Sequence, residues 1–418
     1  MTNESEIGQH GDPQRDPVAP KPTDPAEQTA APKPPEPSAK VAFYEASQWQ
    51  LVWRRFSKHK VALWCLHIVI VLYIVCLSAP FFGPHHPTRI HSEWVNQPPV
   101  VFRFGFVEGH TLPRLYFHPF IMERHPVTRA ELYQVDWDSR VPVKFFVKGR
   151  EWRFLGLIPT RIHFFGTEYV APDVLAEQGR DDVEQAATPL FPLGTGQLGQ
   201  CGFSRILYGG RISLLLGLTG VFITFFLGIL LGGISGYYGG KIDMLIQRLA
   251  ETLQSVPKIP LWLALAAAIP KHWTSLQVYF GMTLILACMG WTGMCRTVRG
   301  KLLSLREEDY ARAALIAGAS ERRVIFTHLV PNFFSHIIAS LTLAVPHMIL
   351  AETSLSFLGL GLRPPMVSWG VLLQEARDPG VVIGQPWLLT PALAVVVTVL
   401  ALNFTGEGLR DAADPYST

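Results

Sequence analysis

Charge is scarce in this chain. Asp, Glu, Lys and Arg make up 17% of its 418 residues, where soluble proteins carry about 25%, and the deficit points towards a membrane. The 36 basic residues are nearly balanced by 33 acidic ones, so no general attraction to nucleic acid is expected. Five cysteines, an odd number with no CxxC pair, do not make a disulfide framework or a cysteine zinc site. The phosphate-cradling pattern GxxxxGK[ST] is missing: Gly240-Lys241 is followed by Ile242 and Gly300-Lys301 by Leu302. This chain therefore has no nest of its own for ATP phosphates. It also lacks GxSxG and HExxH, which leaves no nucleophile elbow and no zincin helix. No enzyme constellation and no cofactor site are expected.

What is present is segregated. Residues 1–40 hold nine prolines and almost no large apolar side chain. Such a stretch cannot bury enough surface to offset its conformational entropy and reads as a disordered cytoplasmic tail; without an apolar h-region it is not read as a signal peptide. Residues 41–60 form a juxtamembrane segment containing Arg54, Arg55, Lys58 and Lys60. Val61–Pro80 follows without an Asp, Glu, Lys or Arg, long enough as a helix to cross about 30 Å of hydrocarbon. The basic cluster directly before it places the N-terminus in the cytoplasm.

Four further apolar stretches lie at 212–234, 276–295, 333–350 and 387–404. Segment 244–269 is ambiguous, because Gln247, Arg248, Glu251, Gln254 and Lys258 precede its apolar run Ile259–Ile269. Parity decides. The loop 296–331 carries seven Lys/Arg, short basic loops stay inside, and this one is inside only if 244–269 also crosses. The expected fold is an all-α polytopic membrane protein with six transmembrane helices, both termini cytoplasmic, its third span kinked by Pro257 and Pro260. Its helical core covers 206–405, with five of the spans and the cytoplasmic loop 296–331, and its cytoplasmic C-terminal segment covers 406–418. The stretch 81–205 becomes an extracytoplasmic insert; its Val- and Phe-rich runs Val100–Val107 and Val141–Val147 predict short strands.

The loop 296–331 is the most informative segment. Ser304 and Glu307 have capping-box spacing. Ala311, Ala313, Ala314 and Ala317 follow, and alanine is the best helix former. Gly318 is suited to end that helix in a left-handed conformation. Ser320 and Glu321 then start a second short helix, limited by Pro331. The product is a helix–Gly–helix elbow whose alanine face admits close approach by another protein and whose arginines pair with acidic side chains. An amphipathic loop that only lies at the interface is the alternative.

The spans hold almost no charge at their centres, where an ion-coupled transporter usually places some. The candidates are His67, His336, His347, Glu251 and Glu352. The histidines are scattered, so no metal site is expected. Glu251 and Glu352 read as packing or gating residues, and Glu352, Ser354 and Pro346 of the fifth span are the candidate pore or gating positions. Gly228, Gly232 and Gly236 have GxxxG spacing, which lets helix backbones approach closely; packing inside this chain and packing against another subunit both remain open.

The pattern Arg312-Ala313-Ala314-x3-Gly318-x9-His328-x-Val330-Pro331 resembles the EAA loop of ABC importer permeases, which reads Glu-Ala-Ala, then Gly, then Ile-x-Leu-Pro. Arg312, His328 and Val330 depart from it. Leu193-Gly194-Thr195, Ser204-Arg205-x-x-Tyr208-Gly209-x-Arg211-x-Ser213-Leu214, Phe357-Leu358-Gly359-Leu360-Gly361, Ser368-Trp369-Gly370 and Leu409-Arg410-Asp411-x-x-Asp414-Pro415 are similar to segments of the C-type subunits of oligopeptide/dipeptide/nickel importers. The resemblance covers about 161–418 and, loosely, the first span. One segment departs: where that family has Gly-Thr-Asp-x-x-Gly-Arg-Asp, this chain has Gly194-Thr195-Gly196-Gln197-Leu198-Gly199-Gln200-Cys201, without the three charges.

The resemblance implies a permease of a bacterial inner membrane whose elbow is the coupling helix. Asp309, Tyr310, Arg312, Ala313, Ala314, Gly318, Ala319, Ser320 and Pro331 would then contact the ATPase. It also implies the partners: a second permease subunit in a heterodimer, two ATP-binding subunits and an extracytoplasmic substrate-binding protein. ATP hydrolysis would belong to those partners. Peptide is the substrate implied by the branch, with nickel, opines or sugars as alternatives. A self-contained channel or secondary transporter, and a membrane scaffold, are the rival classes.

Overall fold

The computed structural model describes residues 48–107, 112–124, 131–154, 158–167, 188–320, 323 and 330–413. A short helix α1 (Gln48–Phe56) leads into α2 (Lys60–Leu77) and the single turn α3 (Ala79–Phe82). Seven strands follow: β1 (Phe102–Gly105), β2 (Arg114–Phe117), β3 (Phe120–Arg124), β4 (Glu131–Val135), β5 (Val141–Pro142), β6 (Lys144–Phe154) and β7 (Ile158–Gly166). The remainder is helical: α4 (Gly202–Tyr238), α5 (Gly240–Ser255), α6 (Lys258–Ala267), α7 (Ser275–Arg306), α8 (Asp309–Ile316), α9 (Val330–Phe357), α10 (Trp369–Glu375), α11 (Pro379–Gly384) and, after a 3₁₀ turn at Pro386–Leu389, α12 (Thr390–Ala413).

Among the described residues five helical segments are long and apolar enough to cross a membrane: Lys60–Leu77, Gly202–Tyr238, Ser275–Leu305, Ile337–Phe357 and Pro386–Ala413. The expected third span is built differently. Instead of one kinked helix, 244–269 falls into two pieces, α5 and α6. The residue before a proline is pushed out of the α region. Val256 accordingly adopts φ −87°, ψ 131° before Pro257, and the helix breaks there. Ten-residue α6 rises only about 15 Å, so the third of the six crossings is a broken one that needs α5 and α6 together.

The glycine pattern on α4 has a local use. A Cβ at Gly228 would lie 2.6 Å from the Met294 side chain, one at Gly232 2.5 Å from the Cys295 carbonyl oxygen, and one at Gly236 3.0 Å from the Arg299 Cα. Each glycine faces the next turn of α7, so the two backbones run against each other along three turns. Of the two readings of GxxxG, packing inside the chain is the one observed. Gly217 does the same against Ile349 of α9, and Gly406 of α12 against Leu343.

The stretch between α3 and α4 is β-containing, as expected, but it forms three small antiparallel sheets: β1-β2-β5, the β3-β4 hairpin and the β6-β7 hairpin. A small core of Val100, Phe117, Val143 and Leu190 holds part of it together.

Candidate functional sites along the long helices

The capping box is at the far end of α7 from the one expected. Thr274 and Gln277 cap each other reciprocally, the Thr274 N–H donating to Gln277 Oε1 at 2.8 Å and the Gln277 N–H to Thr274 Oγ1 at 3.4 Å. Ser304 instead lies inside α7, which runs unbroken to Arg306. A two-residue turn, Glu307-Glu308, then reverses the chain into α8, whose first turn carries Asp309, favourable against the helix dipole. Arg312 pairs with Glu307 across that turn. Gly318 ends the helix as anticipated, at φ +83°, with the Ala319 N–H returning to the Ala314 carbonyl at 3.0 Å, a left-handed helix ending that only glycine adopts without strain.

This geometry sorts the candidate coupling residues. Ala311 is buried, and Ala314 and Ala319 are half-buried against the main core. Asp309, Tyr310, Arg312, Ala313, Gly318 and Ser320 face outwards. Ile316 joins them at 88% exposure. It went unmarked in the sequence, although its place one turn beyond Arg312 and Ala313 was a readable signal. Glu321 and His328 lie outside the described residues, as does most of the second short helix. Pro331 is the second residue of α9, in the first helical turn, where a missing N–H is tolerated.

A cavity of about 640 Å³ lies between α4, α6, α7 and α9. Val221, Thr224 and Phe225 of α4, Trp262 of α6, Gly290 and Met294 of α7, and His347 and Ser354 of α9 are in its wall. Among the described residues its lining holds no Asp or Glu, and its one Lys is Lys258 at the start of α6. Along α9 the exposed residues His347, Leu350, Ser354 and Phe357 recur at helical spacing and make one stripe. Pro346 and Glu352 fall on the buried side and outside the cavity wall.

Glu352 has another position. Its side chain is 0% exposed, accepting from the Ser213 hydroxyl at 3.1 Å and the Ser356 hydroxyl at 2.8 Å. Those hydroxyls in turn accept backbone N–H groups, Ser213 from Trp369 at 3.2 Å and Ser356 from Leu362 at 3.1 Å. One carboxyl thereby joins α4, α9 and the start of α10 in a network where each polar group has a partner, the condition for burying such groups at all. Glu251 is exposed and pairs with Arg248 at 3.3 Å.

The segment lacking its three charges has been rebuilt. Thr195 bridges Cys201 and accepts the Gln97 N–H at 2.8 Å, while Trp387 donates to the Thr195 carbonyl at 3.0 Å. Beside this turn Arg205 makes a bidentate pair with Glu375 at 2.7 and 2.5 Å. Gly196 sits against that pair: a Cβ there would lie 3.4 Å from Arg205 Nη1 and 3.6 Å from Glu375 Oε2.

Comparison with known proteins agrees with this architecture. Residues 228–416 match the family described as binding-protein-dependent transport system inner membrane component, and residues 47–99 match the N-terminal TM domain of oligopeptide transport permease C. The oligopeptide transport system permease protein OppC of Haemophilus influenzae is 35% identical over 274 residues, 65% of this chain and 76% of that protein. The dipeptide transport system permease protein DppC of Bacillus subtilis is 39% identical over 223 residues, 53% of this chain and 68% of that protein. The glutathione transport system permease protein GsiD of Pectobacterium atrosepticum is 36% identical over 252 residues, 60% of this chain and 81% of that protein. The chain belongs to the ABC importer permeases, as a C-type transmembrane subunit of the oligopeptide/dipeptide/nickel transporter family.

Proposed function

We propose that this chain passes short peptides across the bacterial inner membrane as half of a permease heterodimer. Two ATP-binding subunits would drive it at the elbow, and an extracytoplasmic binding protein would load it. In this reading both termini and the elbow 309–320 are cytoplasmic, and the insert 81–205 lies on the opposite side. The single observation that carries it is the continuity of α7. One unbroken helix of 32 residues, about 48 Å long, joins the outward-facing elbow at one end to the wall of the cavity. A push on α8 from a closing ATPase dimer moves α7 as a rod, and its glycine seam with α4 lets the two slide without side chains locking. A cavity with few fixed charges suits cargo handed over by a separate protein, since the pore itself need not bind tightly. Peptide as cargo is supported by the names of the relatives; nickel, opines and sugars are the competing cargoes.

Ala313→Glu places an extra carboxylate on the exposed face of α8, and Gly318→Asp strains its left-handed ending. Both should leave the chain in the membrane. Both should release the co-purifying ATPase and lower uptake of a labelled peptide by about tenfold or more, the loss expected when a central contact of an interface is removed. Intact association and intact uptake in both variants would sink the coupling assignment. ATP-independent transport by this chain alone in liposomes would instead favour a self-contained channel.

A further inference from the structure

The β6–β7 hairpin is two-stranded, and among the described residues no third strand extends it; such a hairpin is marginally stable in water without something to pack on. Its base is covered on both faces, with Phe165 against Phe203 of α4 at 5.7 Å on one of them. Phe164 meets Phe81 and Phe82 of α3 with ring centroids 5.7 and 5.3 Å apart, and Trp152 meets Phe81 at 6.3 Å. Phe146, held at φ +56°, sets its ring against Phe164 at 5.8 Å. The remaining apolar side chains are open, Phe146 at 64% and Ile158 at 62% exposure, with Phe145, Phe154 and Ile162 beside them.

The level of this hairpin is fixed by what it packs on. α3 follows α2 after one residue, Ser78, and α2 is long and apolar enough to cross a membrane, with little of its surface buried within this chain. A Cβ at Gly210 of α4 would lie 2.6 Å from Cys76 Sγ, which sets the end of α2 beside the start of the apolar part of α4. The aromatic base of the hairpin therefore rests where the hydrocarbon ends. Aromatic rings with basic side chains are the composition that membrane–water boundaries favour. The two strands carry Lys144, Lys148, Arg150, Arg153 and Arg161 against the single acid Glu151, and Glu151 is taken by Arg161 at 3.1 Å. Lys148 and Arg153 lie opposite Ile162 and Pro159 in the ladder, so their charge is not neutralised across it.

We propose that the β6–β7 hairpin binds anionic phospholipid at the membrane surface where α2 ends, its open apolar side chains entering the headgroup layer and lipid phosphates meeting Lys148 on one face of the hairpin and Arg153 on the other. This rests on the chain being a membrane permease and is independent of cargo and of the elbow.

The test uses the full chain in its native membrane, with the photo-reactive residue benzoylphenylalanine placed at Phe154, at Ile158 and, for comparison, at Phe104 of β1, which is also exposed. Irradiation should give phospholipid adducts by mass spectrometry at 154 and 158, with yields about fivefold above that at 104. Adducts to a protein at 154 and 158, or a lipid yield no higher than at 104, would overturn the proposal and make the hairpin a docking face for a protein. A second measurement covers the charges. In the solubilised full chain carrying Lys148→Glu and Arg153→Glu, the ratio of retained phosphatidylglycerol to phosphatidylcholine should drop about threefold or more; an unchanged ratio counts against it.

Discussion

The helical core and the β-containing insert solve the same packing problem with opposite materials. In the core the contacts are made by the smallest residues. Gly228, Gly232 and Gly236 bring the α4 backbone onto α7, as expected where lipid offers no hydrophobic drive for helices to associate. In the insert they are made by the largest. Phe81, Phe82, Phe146, Trp152 and Phe164 hold the long hairpin, and Arg103 and Arg140 lie over the Trp137 and Tyr116 rings at 4.8 and 5.6 Å. The core should therefore fail by steric overfilling and the insert by changes in solvation and charge.

The largest effect expected from that contrast is at Gly232. Gly232→Leu drives a branched side chain into the Cys295 carbonyl, where even a Cβ would lie 2.5 Å away. Backbone cannot yield as a flexible side chain does, and the cost should be about 3 kcal/mol or more. The neighbouring Gly233 has open space within 4 Å, so Gly233→Leu should cost no more than about 0.5 kcal/mol. Thermal melting of the detergent-solubilised chain separates them. Equal losses at both positions would mean that the seam is not what holds α4 to α7.

The insert should respond to acid where the core does not. His85 and His91 lie edge to face at 4.9 Å, both against Phe191, with His85 Nε2 donating to the Leu190 carbonyl at 3.1 Å. Burial, reinforced by His91 and Arg89, pushes His85 down to about 3; burial, with Arg89, pushes His91 down to about 4. Both values are lowered by folding, so the unfolded segment binds protons first as pH falls. Their contribution is complete above about pH 6.5 and is lost below it towards pH 3, on the order of 2 to 3 kcal/mol for each by pH 4.5. Hydrogen exchange of residues 85–100 and 188–200 should rise over that window while α7 and α9 stay protected. Parallel loosening of both regions would erase the distinction.

The sequence made the core more legible than its connections. Apolar runs marked every long span, because twenty uncharged residues have few other uses, and Gly318 could be recognised as a helix end because a left-handed turn requires it. The break at Val256 was read too mildly, as a kink, because the hydropathy of 244–269 does not show where Pro257 forces extended backbone. Ser304 and Glu307 matched a capping box that α7 simply runs through, since helix continuation outweighs a local cap signal when the flanking face is packed. The polar node around Glu352 was out of reach. Ser213 and Ser356 are ordinary small residues in sequence, and only the fold brings them to one carboxyl. The pair Arg205–Glu375 spans 170 residues, and nothing local in the sequence marks either residue as the other's partner.

That ion pair supplies the smallest and sharpest test, because it lies where core and insert meet. Arg205 is 7% exposed and Glu375 28%, so losing the carboxylate leaves a mostly buried guanidinium. Glu375→Gln should cost roughly 2 kcal/mol once the residual exposure is discounted. The pattern that residues 194–201 resemble has an aspartate where this chain has Gly196, and a Cβ there would stand 3.4 Å from Arg205 Nη1 without meeting backbone. Gly196→Asp alone sets two carboxylates on one cation and should destabilise slightly. Gly196→Asp together with Glu375→Gln should return the stability read by thermal melting to within about 0.5 kcal/mol of the parent, the mark of coupled neighbours in a double-mutant cycle. Simple additivity of the two losses would show that the ion pair can be formed only from α10, and that position 196 is not its alternative site.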